Sequence, residues 1–570
     1  MVAPKARRRL LSFGAALAVV ALLLYFVVPP APEQVTLTSP ADPLALKGAL
    51  HVHTVRSDGG GSVDDAARDA AAAGLAFLVF MDHGDGRRLE PPKYRSGVLC
   101  IDGAEISTDQ GHVAALGMRS AEYRLAGEAR DVIDDIHRLG GVAIVAHPDS
   151  PKRELAWEAW DTRFDGLEWL NADSQWRDES GMALARAAIG YWFRPAAALA
   201  GTFDRPDAPL ERADAVASRR FLALVAGHDA HARLAPEGSG ILQRISLPSY
   251  RAVFGSFAVR ALLDAPLSGR AEDDAARVTS AIRHGRVFSA IDGVAAPARL
   301  AFRVRSGPVT ATIGDRLIPV GPLEFDVSAD APDGARIVLL RDGHEVGAGP
   351  PPRLQVSMQP AAGAYRIEVR LARAPGTPPV PWIVSSPIFV GLPAATAIEP
   401  VPLPLATIAE LSSADDVAAW TIEHARDSTG VVSASRIDGS LQVTYALGRE
   451  GGASPYAALV RPLSMPESAS AIEFRVSADR PMRVSVQLRA PGGADGQRWR
   501  RSIFADAEPR RVRIDFDDFR PVPGAQGPVP RTAVNTLLFV VDTVNTDPGA
   551  EGVVSILEVR VLGGAGAAAR

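Results

Sequence analysis

Leu50-His51-Val52-His53-Thr54-Val55-Arg56-Ser57-Asp58-Gly59 is the stretch that decides how the first folded domain of this 570-residue chain is interpreted. Its apolar start is typical of a short strand, and two histidines one residue apart on a strand point to the same face. Both imidazoles can therefore bind one metal ion. Asp58 follows in a glycine-rich loop, where its carboxylate is free to turn towards them.

Later segments repeat one arrangement, an apolar strand-like run with a metal-binding residue type beside it. Such runs lie next to the following residues: His83, Glu105, His112, His147, Asp229 and His231. The region from His51 to His231 contains eight of the 11 histidines. Random scatter would not place them so regularly at the ends of apolar runs.

Helical patterns separate these runs. Residues 63–73 are alanine-rich and are followed by Gly74, and residues 129–139 precede Gly140. Strands alternating with helices indicate a parallel sheet or barrel, in which ligands gather at the carboxyl ends of the strands. Asn171 ends another apolar run and is expected to face the same site, and residues 182–199 are predicted to be one helix.

The ordered motifs resemble the PHP family, the metal-dependent phosphoesterase domain also found with bacterial DNA polymerases and as histidinol phosphatase. The shared order is His-x-His, Ser-Asp-Gly, Asp-His, a Glu, Gly-His, Ala-His-Pro and Asp-Ala-His. The resemblance implies a distorted β/α barrel with up to three metal ions. It assigns His51, His53, Glu105 and Asp229 to one ion, Glu105, His112 and His147 to a second, and Asp58, His83 and His231 to a third. One departure is His228, where the family usually has serine.

These ligand types suit Zn, Mn or Fe, and clustered cations activate water without a serine or cysteine nucleophile. No Gly-x-Ser-x-Gly motif is present, which argues against a serine hydrolase. The catalytic residues expected are Glu105, Asp229 and His228, the last as a proton donor, although a plain packed histidine fits it equally. Substrate contacts are expected from Lys152, Arg233 and Asn171, with a solvated surface role as the alternative for the two cations.

The N-terminal residues predict a membrane anchor. Lys5 and residues 7–9 are basic and precede an apolar run over residues 10–28, and roughly 20 apolar residues span a bilayer. Basic residues before the span keep the N-terminus in the cytoplasm. We therefore expect residues 1–30 to be a cytoplasmic tip and signal anchor and residues 31–43 a stalk, with the bulk of the chain in the periplasm or outside. A cleaved secretory signal is the alternative.

Composition narrows the partners. The formal net charge is -5 and 22% of residues are charged. The chain therefore has no excess of basic residues, which argues against nucleic acid as a partner. Cys100 is the single cysteine, which excludes an intrachain disulfide, and its apolar surroundings predict a small core residue.

The rest of the chain has the pattern of β domains. The PHP barrel is assigned to residues 44–296, and alternating strands over residues 297–392 predict an immunoglobulin-like β-sandwich, with a hairpin turn at Asp342-Gly343. A barrel, a Gly-Arg-Val-Phe segment at residues 285–288 and a sandwich, in that order, resemble the CehA/McbA-like branch of PHP metallohydrolases. That branch includes carbamate ester hydrolases.

Residues 393–408 are predicted to be a linker, and residues 409–563 a jelly roll similar to galactose-binding-like modules. Trp499, flanked by arginines, is a candidate sugar platform, with a core or surface aromatic as the alternative. The Gly/Ala-rich tail over residues 564–570 is expected to be disordered.

Two functions follow. The first is a membrane-anchored, extracytoplasmic metal-dependent hydrolase of small-molecule phosphoesters or related esters. The second is a cell-surface protein whose β domains bind a glycan and whose barrel is a non-catalytic scaffold.

Overall fold

The structure of the chain is a computed structural model. Its described part comprises residue 13 and residues 27–40, 42–233, 247–392, 405–413, 416–434, 440–449, 454–522 and 524–564. The chain divides into two compact units: Met1–Arg119 with Ile133–Thr396, and Ser120–Val132 with Ala397–Arg570. The division between residues 396 and 397 falls inside the segment predicted to be a linker.

Both units are mostly β-sheet. The strands of the first unit are β1 (Glu33–Gln34), β2 (Ala45–Val52), β3 (Phe77–Phe80), β4 (Lys93–Arg95), β5 (Val98–Thr108), β6 (Gly111–Leu116), β7 (Val142–Val145), β8 (Gly166–Asn171), β9 (Ala223–Gly227), β10 (Ala258–Leu262), β11 (Val287–Ala290), β12 (Ala295–Ala296), β13 (Arg299–Ser306), β14 (Val309–Thr312), β15 (Arg316–Leu317), β16 (Leu323–Asp330), β17 (Arg336–Arg341), β18 (His344–Gly349), β19 (Arg353–Met358), β20 (Gly363–Arg370), β21 (Ile383–Ser385) and β22 (Ile388–Val390). The helices are α1 (Val63–Ala72), α2 (Ala129–Arg138), α3 (Ala172–Arg177), α4 (Gly181–Tyr191), α5 (Pro195–Ala200), α6 (Asp207–Ala217), α7 (Tyr250–Ser256) and α8 (Ala271–Arg283).

Strands β2, β3, β5, β6, β7, β8 and β9 neighbour one another in that order. The pairs β2–β3, β3–β5, β7–β8 and β8–β9 are parallel, whereas β6 is antiparallel to both of its neighbours. Beyond β9, residues 228–230 form main-chain hydrogen bonds with Leu50, His51 and His53. These bonds lead from the last strand back to the first, so the strands follow a ring.

The ring continues into the segment predicted to be a separate sandwich. Strand β11 pairs with β21, and β21 with β20, so one 16-stranded sheet includes strands from both sides of residue 296. The four-stranded sheet β14-β13-β16-β19 is separate. Main-chain hydrogen bonds between β11 and β21 therefore cross the predicted domain boundary between residues 296 and 297. The predicted hairpin turn is present, with φ of 51° at Asp342 and 83° at Gly343.

The second unit contains two antiparallel sheets of six strands each. Its strands are β23 (Leu405–Glu410), β24 (Thr421–His424), β25 (Thr429–Ala434), β26 (Leu441–Ala446), β27 (Tyr456–Pro462), β28 (Ala469–Ala478), β29 (Met482–Arg489), β30 (Arg498–Ala505), β31 (Arg510–Asp515), β32 (Arg520–Pro521), β33 (Thr536–Asp542) and β34 (Glu551–Gly564). One sheet is β25-β26-β34-β28-β31 with β23 on β34, and the other is β24-β27-β33-β29-β30-β32.

Two sequence predictions differ from the structure, and for Trp499 the structure decides between two alternatives. Residues 182–199 form two helices, because Pro195 has no N–H to continue α4 and disfavours helical φ/ψ in the residue before it. Strand β23 begins at Leu405, inside the predicted linker. Trp499 is 1% exposed and its indole N–H donates to the Gly527 carbonyl at 2.9 Å. The core alternative for Trp499 is therefore confirmed, and its face is not open to a sugar.

Within the described residues, no helix is both long enough and apolar enough to cross a membrane. Most of the predicted anchor over residues 10–28, most of the predicted linker and the tail from residue 565 onward lie outside the described residues.

Candidate metal centre

All nine residues that the sequence analysis assigned as ligands lie in one cluster. Their ligand atoms form four overlapping groups, and within each group these atoms lie within 4.8 Å of one another. The groups are His53, Asp58, His83 and His231; His51, His53 and Asp229; His51, Glu105 and His147; and His83, Glu105 and His112. These four groups differ from the three metal sites that the resemblance implies, because His51, His53 and His83 each belong to two of the groups.

Glu105 lies at the centre of the cluster and is 1% exposed. One carboxylate oxygen lies 2.7 Å from both His112 Nδ1 and His147 Nε2. The other lies 3.2–3.3 Å from nitrogens of His51, His53 and His83. A single carboxylate therefore contacts five imidazoles, as expected of a ligand shared between metal ions.

Asp229 contacts His51 and His53, two of the five histidines that Glu105 contacts. Its Oδ1 lies 3.1 Å from His53 Nε2 and 3.5 Å from His51 Nε2. Towards the surface, Asp58 Oδ2 lies 3.1 Å from His231 Nε2 and 3.5 Å from His83 Nε2. The cluster thus extends from a buried pair of histidines to a half-exposed edge.

The backbone is strained at three of these residues. The φ angle is 64° at His51, 29° at His147 and 46° at Asp229, in a region that non-glycine residues rarely adopt. At His51 the pairing of β2 with β3 is also irregular between Ala49 and Val52. The two histidines therefore do not lie on a regular strand, although both imidazoles approach Glu105. Such strain is concentrated at functional sites.

The protonation of the cluster is unusual. Burial is the largest influence on the pKa of His51 and lowers it, but the nearby carboxylates of Asp229, Glu168 and Glu105 together raise that pKa well above its usual value. The pKa of His147 is raised to about 9 in the same way, against its burial, by Glu105 and Asp229. Although burial raises the pKa of Glu105, the surrounding imidazoles hold it well below its usual range. The imidazoles and the carboxylates thus favour each other's charged forms, and divalent cations bound by these ligands would displace protons from the imidazoles.

Two observations test whether the cluster fits metal ions. The Nε2 atoms of His51 and His53 are buried and lie 3.1–3.5 Å from carboxylate oxygens of Glu105 and Asp229, but they form no well-directed hydrogen bond with them. An unsatisfied buried nitrogen is costly, and a metal ion would satisfy it. The donor set, six imidazoles and three carboxylates, is the type that Zn, Mn and Fe prefer. The residues present therefore fit the implied metals.

Glu168, on β8, supports the cluster and was missed by the sequence analysis. It is 2% exposed, and its carboxylate lies 2.7 Å from His51 Nδ1 and accepts hydrogen bonds from the His147 main-chain N–H and the Asn171 amide. The signal was visible, since a carboxylate inside the apolar run Leu167-Glu168-Trp169-Leu170 needs buried partners. Asn171 also accepts from the Ser174 N–H at the start of α3, so its polar atoms are engaged within the protein.

Asp82 holds the loop that carries Asp58. It accepts hydrogen bonds from the Thr54 main-chain N–H at 2.6 Å and the Ser57 hydroxyl at 2.8 Å, and it pairs with Arg56 at 2.9 Å. The Asp82-His83 motif therefore provides one residue that shapes the loop and one that joins the cluster.

His228 lies in the wall beside the cluster and is 1% exposed. Its ring stacks on Phe257 with centroids 4.0 Å apart, and its nitrogens face the carbonyl oxygens of Leu50 and Phe257 at 3.2 and 3.0 Å. Burial lowers its pKa to about 4, although the two carbonyl oxygens act in the opposite direction. These contacts give His228 a packing role, and a role as proton donor stays a prediction.

A cavity of about 300 Å³ opens onto the cluster at Asp58, Asp229 and His231. Lys152 and Arg233, both predicted to bind substrate, line it. The remaining lining includes Trp176, Arg177, Leu199, Phe203 and Val253. A volume of this size fits a small ligand.

Replacing Glu168 with alanine should weaken metal binding by about 10- to 100-fold, the usual effect of removing a partner that orients a ligand histidine. His51 would lose the acceptor that fixes its ring. Metal affinity from competition with a chromogenic chelator would measure the effect. Glu324→Ala, which removes an exposed partner of Arg305, is the control, and equal affinities for the two variants would contradict the assigned role.

No family profile and no curated protein match the chain. Similar solved structures include the family 11 carbohydrate-binding module of the cellulase Lic26A-Cel5E from Clostridium thermocellum, at 14% identity over 28% of this chain and 95% of that one, with a TM-score of 0.23. The mannan-recognising module TmCBM27 is 15% identical over 28% of this chain and 97% of its own, with a TM-score of 0.20. At these scores the likenesses carry no argument about the site.

Proposed function

We propose that the chain is a metal-dependent hydrolase of the PHP type that cleaves phosphoesters or related esters. The convergence of the nine ligand residues on one cluster is the observation that supports this proposal. Burying ionisable groups is costly unless they are paired or bind metals. A scaffold without chemistry to perform would have no need to bury so many ligands together.

The arrangement of the strands agrees with this proposal. His83, His147 and Asp229 follow the last residues of β3, β7 and β9, and Glu105 lies in β5. Ligands from the carboxyl ends of successive strands around a ring are what a distorted β/α barrel would bring together.

Two or three Zn, Mn or Fe ions would be held by the nine ligands. Bound there, they would supply Lewis acidity that polarises an ester oxygen and makes water a stronger acid. Glu105 would orient the histidines from the buried side. Asp229 has its pKa held well below the usual range by His51, despite burial, and lines the cavity. Its ionised carboxylate is therefore placed to accept a hydrogen bond from a group that enters the cavity.

Arg233 favours an anionic substrate. Its Nε and Nη1 atoms are buried, and the part of the chain that the structure describes provides no hydrogen-bond partner for either. By contrast, Arg177 in the same cavity is paired with Asp173 and lies over the Trp176 ring. Leaving these two buried guanidinium nitrogens without a partner is costly, and a phosphate or carboxylate group in the cavity would satisfy them.

Arg233→Met should raise KM for an anionic ester by roughly 10- to 100-fold, since a hydrogen bond to a charged group contributes about 1.5–3 kcal/mol. KM for a neutral ester should change little. Steady-state kinetics on one substrate of each kind would measure both. Arg177→Met is the matched control because its guanidinium already has a partner, and an equal rise in KM for the two variants would contradict the role of Arg233.

The proposed activity is tested by hydrolysis of nitrophenyl phosphate, bis-nitrophenyl phosphate and a naphthyl carbamate by the full chain, each with added Mn or Zn. Metal-dependent release from a phosphate substrate supports a phosphoesterase. Release from the carbamate alone supports the CehA/McbA-like branch. No release from any substrate, with metal bound, counts against hydrolysis.

The location proposed for the enzyme is the outer side of a membrane, held by the apolar run over residues 10–28. Mass spectrometry of the N-terminal peptide from membranes tests this anchor. Recovery of a peptide that begins beyond residue 28 would show a cleaved signal instead.

Glycan binding by the second unit is the other candidate. Its two six-stranded antiparallel sheets have the layout of a β-sandwich. Calorimetric titration of the full chain with soluble mixed-linkage β-glucan and with mannan tests it, and absence of heat with both counts against it.

A further inference from the structure

Helix α4 presents an apolar face to solvent. The exposed fractions are 84% for Met182, 47% for Ile189, 83% for Trp192 and 55% for Phe193, the last two just past the helix end. The spacing of seven and three residues places Met182, Ile189 and Trp192 on one side of a helix, and Phe193 follows directly. The other side packs inward, where the Tyr191 hydroxyl accepts a hydrogen bond from the Ser249 N–H at 2.9 Å.

Large apolar side chains gathered on one exposed face mark an interaction surface. Arg186 and Arg194 are also exposed beside them. Tryptophan with neighbouring arginines is the composition found where a protein meets the headgroup region of a bilayer, since the indole lies at the interface and the guanidinium reaches phosphate.

The chain itself indicates what covers this face. Pro29 packs against the same helix: an added Cβ at Gly190 would lie 2.7 Å from Pro29 Cδ, so only glycine allows this approach. The Arg194 guanidinium also donates to the Pro29 carbonyl at 2.5 Å. Pro29 directly follows the apolar run over residues 10–28, so α4 lies where the chain would leave a membrane.

We propose that the α4 apolar face, formed by Met182, Ile189, Trp192 and Phe193, contacts the lipid bilayer. The proposal rests on the membrane anchor proposed for residues 10–28 and not on the hydrolase activity. Helices α3 and α5, on either side of α4 in the sequence, contribute Trp176 and Leu199 to the cavity. Membrane contact by α4 would therefore hold the mouth of the cavity near the bilayer surface.

The test uses the full chain in nanodiscs of phosphatidylcholine and phosphatidylglycerol at one chain per disc. Fluorophores are attached to Ile189→Cys and, separately, Trp192→Cys, each with Cys100→Ser. Doxyl lipids and aqueous iodide serve as quenchers. Ile318→Cys is the control because Ile318 is 80% exposed and lies in the same unit, on a different segment.

Doxyl quenching should place the labels at 189 and 192 roughly 5–10 Å below the headgroup level, whereas the label at 318 should be quenched by iodide. Iodide quenching at 189 and 192 equal to that at 318 would overturn the proposal. In a second preparation at two chains per disc, energy transfer between labelled chains without doxyl quenching would assign the face to a second copy and would also overturn the proposal.

Discussion

His53→Ala should lower kcat by roughly a thousandfold or more, because His53 belongs to two of the four ligand groups and its loss would remove water activation by the metal ions. Its Nε2 lies 3.3 Å from Glu105 and 3.1 Å from Asp229, so no neighbouring side chain can replace it without moving both carboxylates. The rate of metal-dependent ester hydrolysis at saturating substrate measures the loss.

His137→Ala is the matched control for this variant. His137 lies in the same unit, pairs with Asp165 at 2.7 Å and belongs to none of the four groups. We expect it to retain kcat close to that of the unsubstituted protein. Circular dichroism should show both variants folded, and an active, folded His53→Ala protein would contradict the assignment of the metal centre.

Arg366→Met should destabilise the first unit by roughly 3–5 kcal/mol, the usual cost of leaving buried charges without their partner. Arg366 is 1% exposed and binds both oxygens of Asp214 at 2.8 Å and Glu368 at 2.7 Å. Asp214 is on α6 and Glu368 on β20, so the pair joins the ring of strands to the segment predicted to be a separate sandwich. Denaturant-induced unfolding measures the change.

Arg353→Met is the control because its ion pair with Asp326 at 2.7 Å is exposed and exposed pairs contribute little. Equal unfolding midpoints for Arg366→Met and Arg353→Met would contradict the importance of the buried pair.

The contribution of the buried Arg366–Glu368 pair to the free energy of unfolding should depend on pH. Burial raises the pKa of Glu368, but Arg366, Arg205 and Arg370 outweigh it and lower the pKa to about 2. A carboxyl whose folded pKa is depressed stabilises the fold above its unfolded pKa and loses that contribution as the pH falls. The stability difference between the unsubstituted protein and Arg366→Met should therefore narrow as the pH falls from about 5 towards about 3.

The ligand residues could be predicted because each stands next to a buried apolar run, which leaves a record in the sequence. The grouping of these ligand residues around Glu105 could not be predicted, because His51 and His83 approach Glu105 only after β3 and β5 pair. Glu168 was overlooked because a single carboxylate in an apolar run has no spacing motif. The burial of Trp499 could not be predicted either, because the sequence does not indicate which face of β30 is buried.

Some predicted element boundaries differ from the structure because of a single residue, and others because of strand pairing between residues far apart in the sequence. The break between α4 and α5 comes from Pro195 and could have been expected from that residue alone. The continuous sheet across residue 296 depends on β11 meeting β21, which are almost a hundred residues apart in sequence. No local pattern records that pairing.

The central claim, that the cluster around Glu105 holds metal ions, is tested most directly by the metal content of the purified full chain. Plasma mass spectrometry should find two or three equivalents of Zn, Mn or Fe per chain, and fewer in a Glu105→Gln variant. A folded protein that binds no metal when supplied with these ions, or binds the same amount with and without Glu105, would contradict the account.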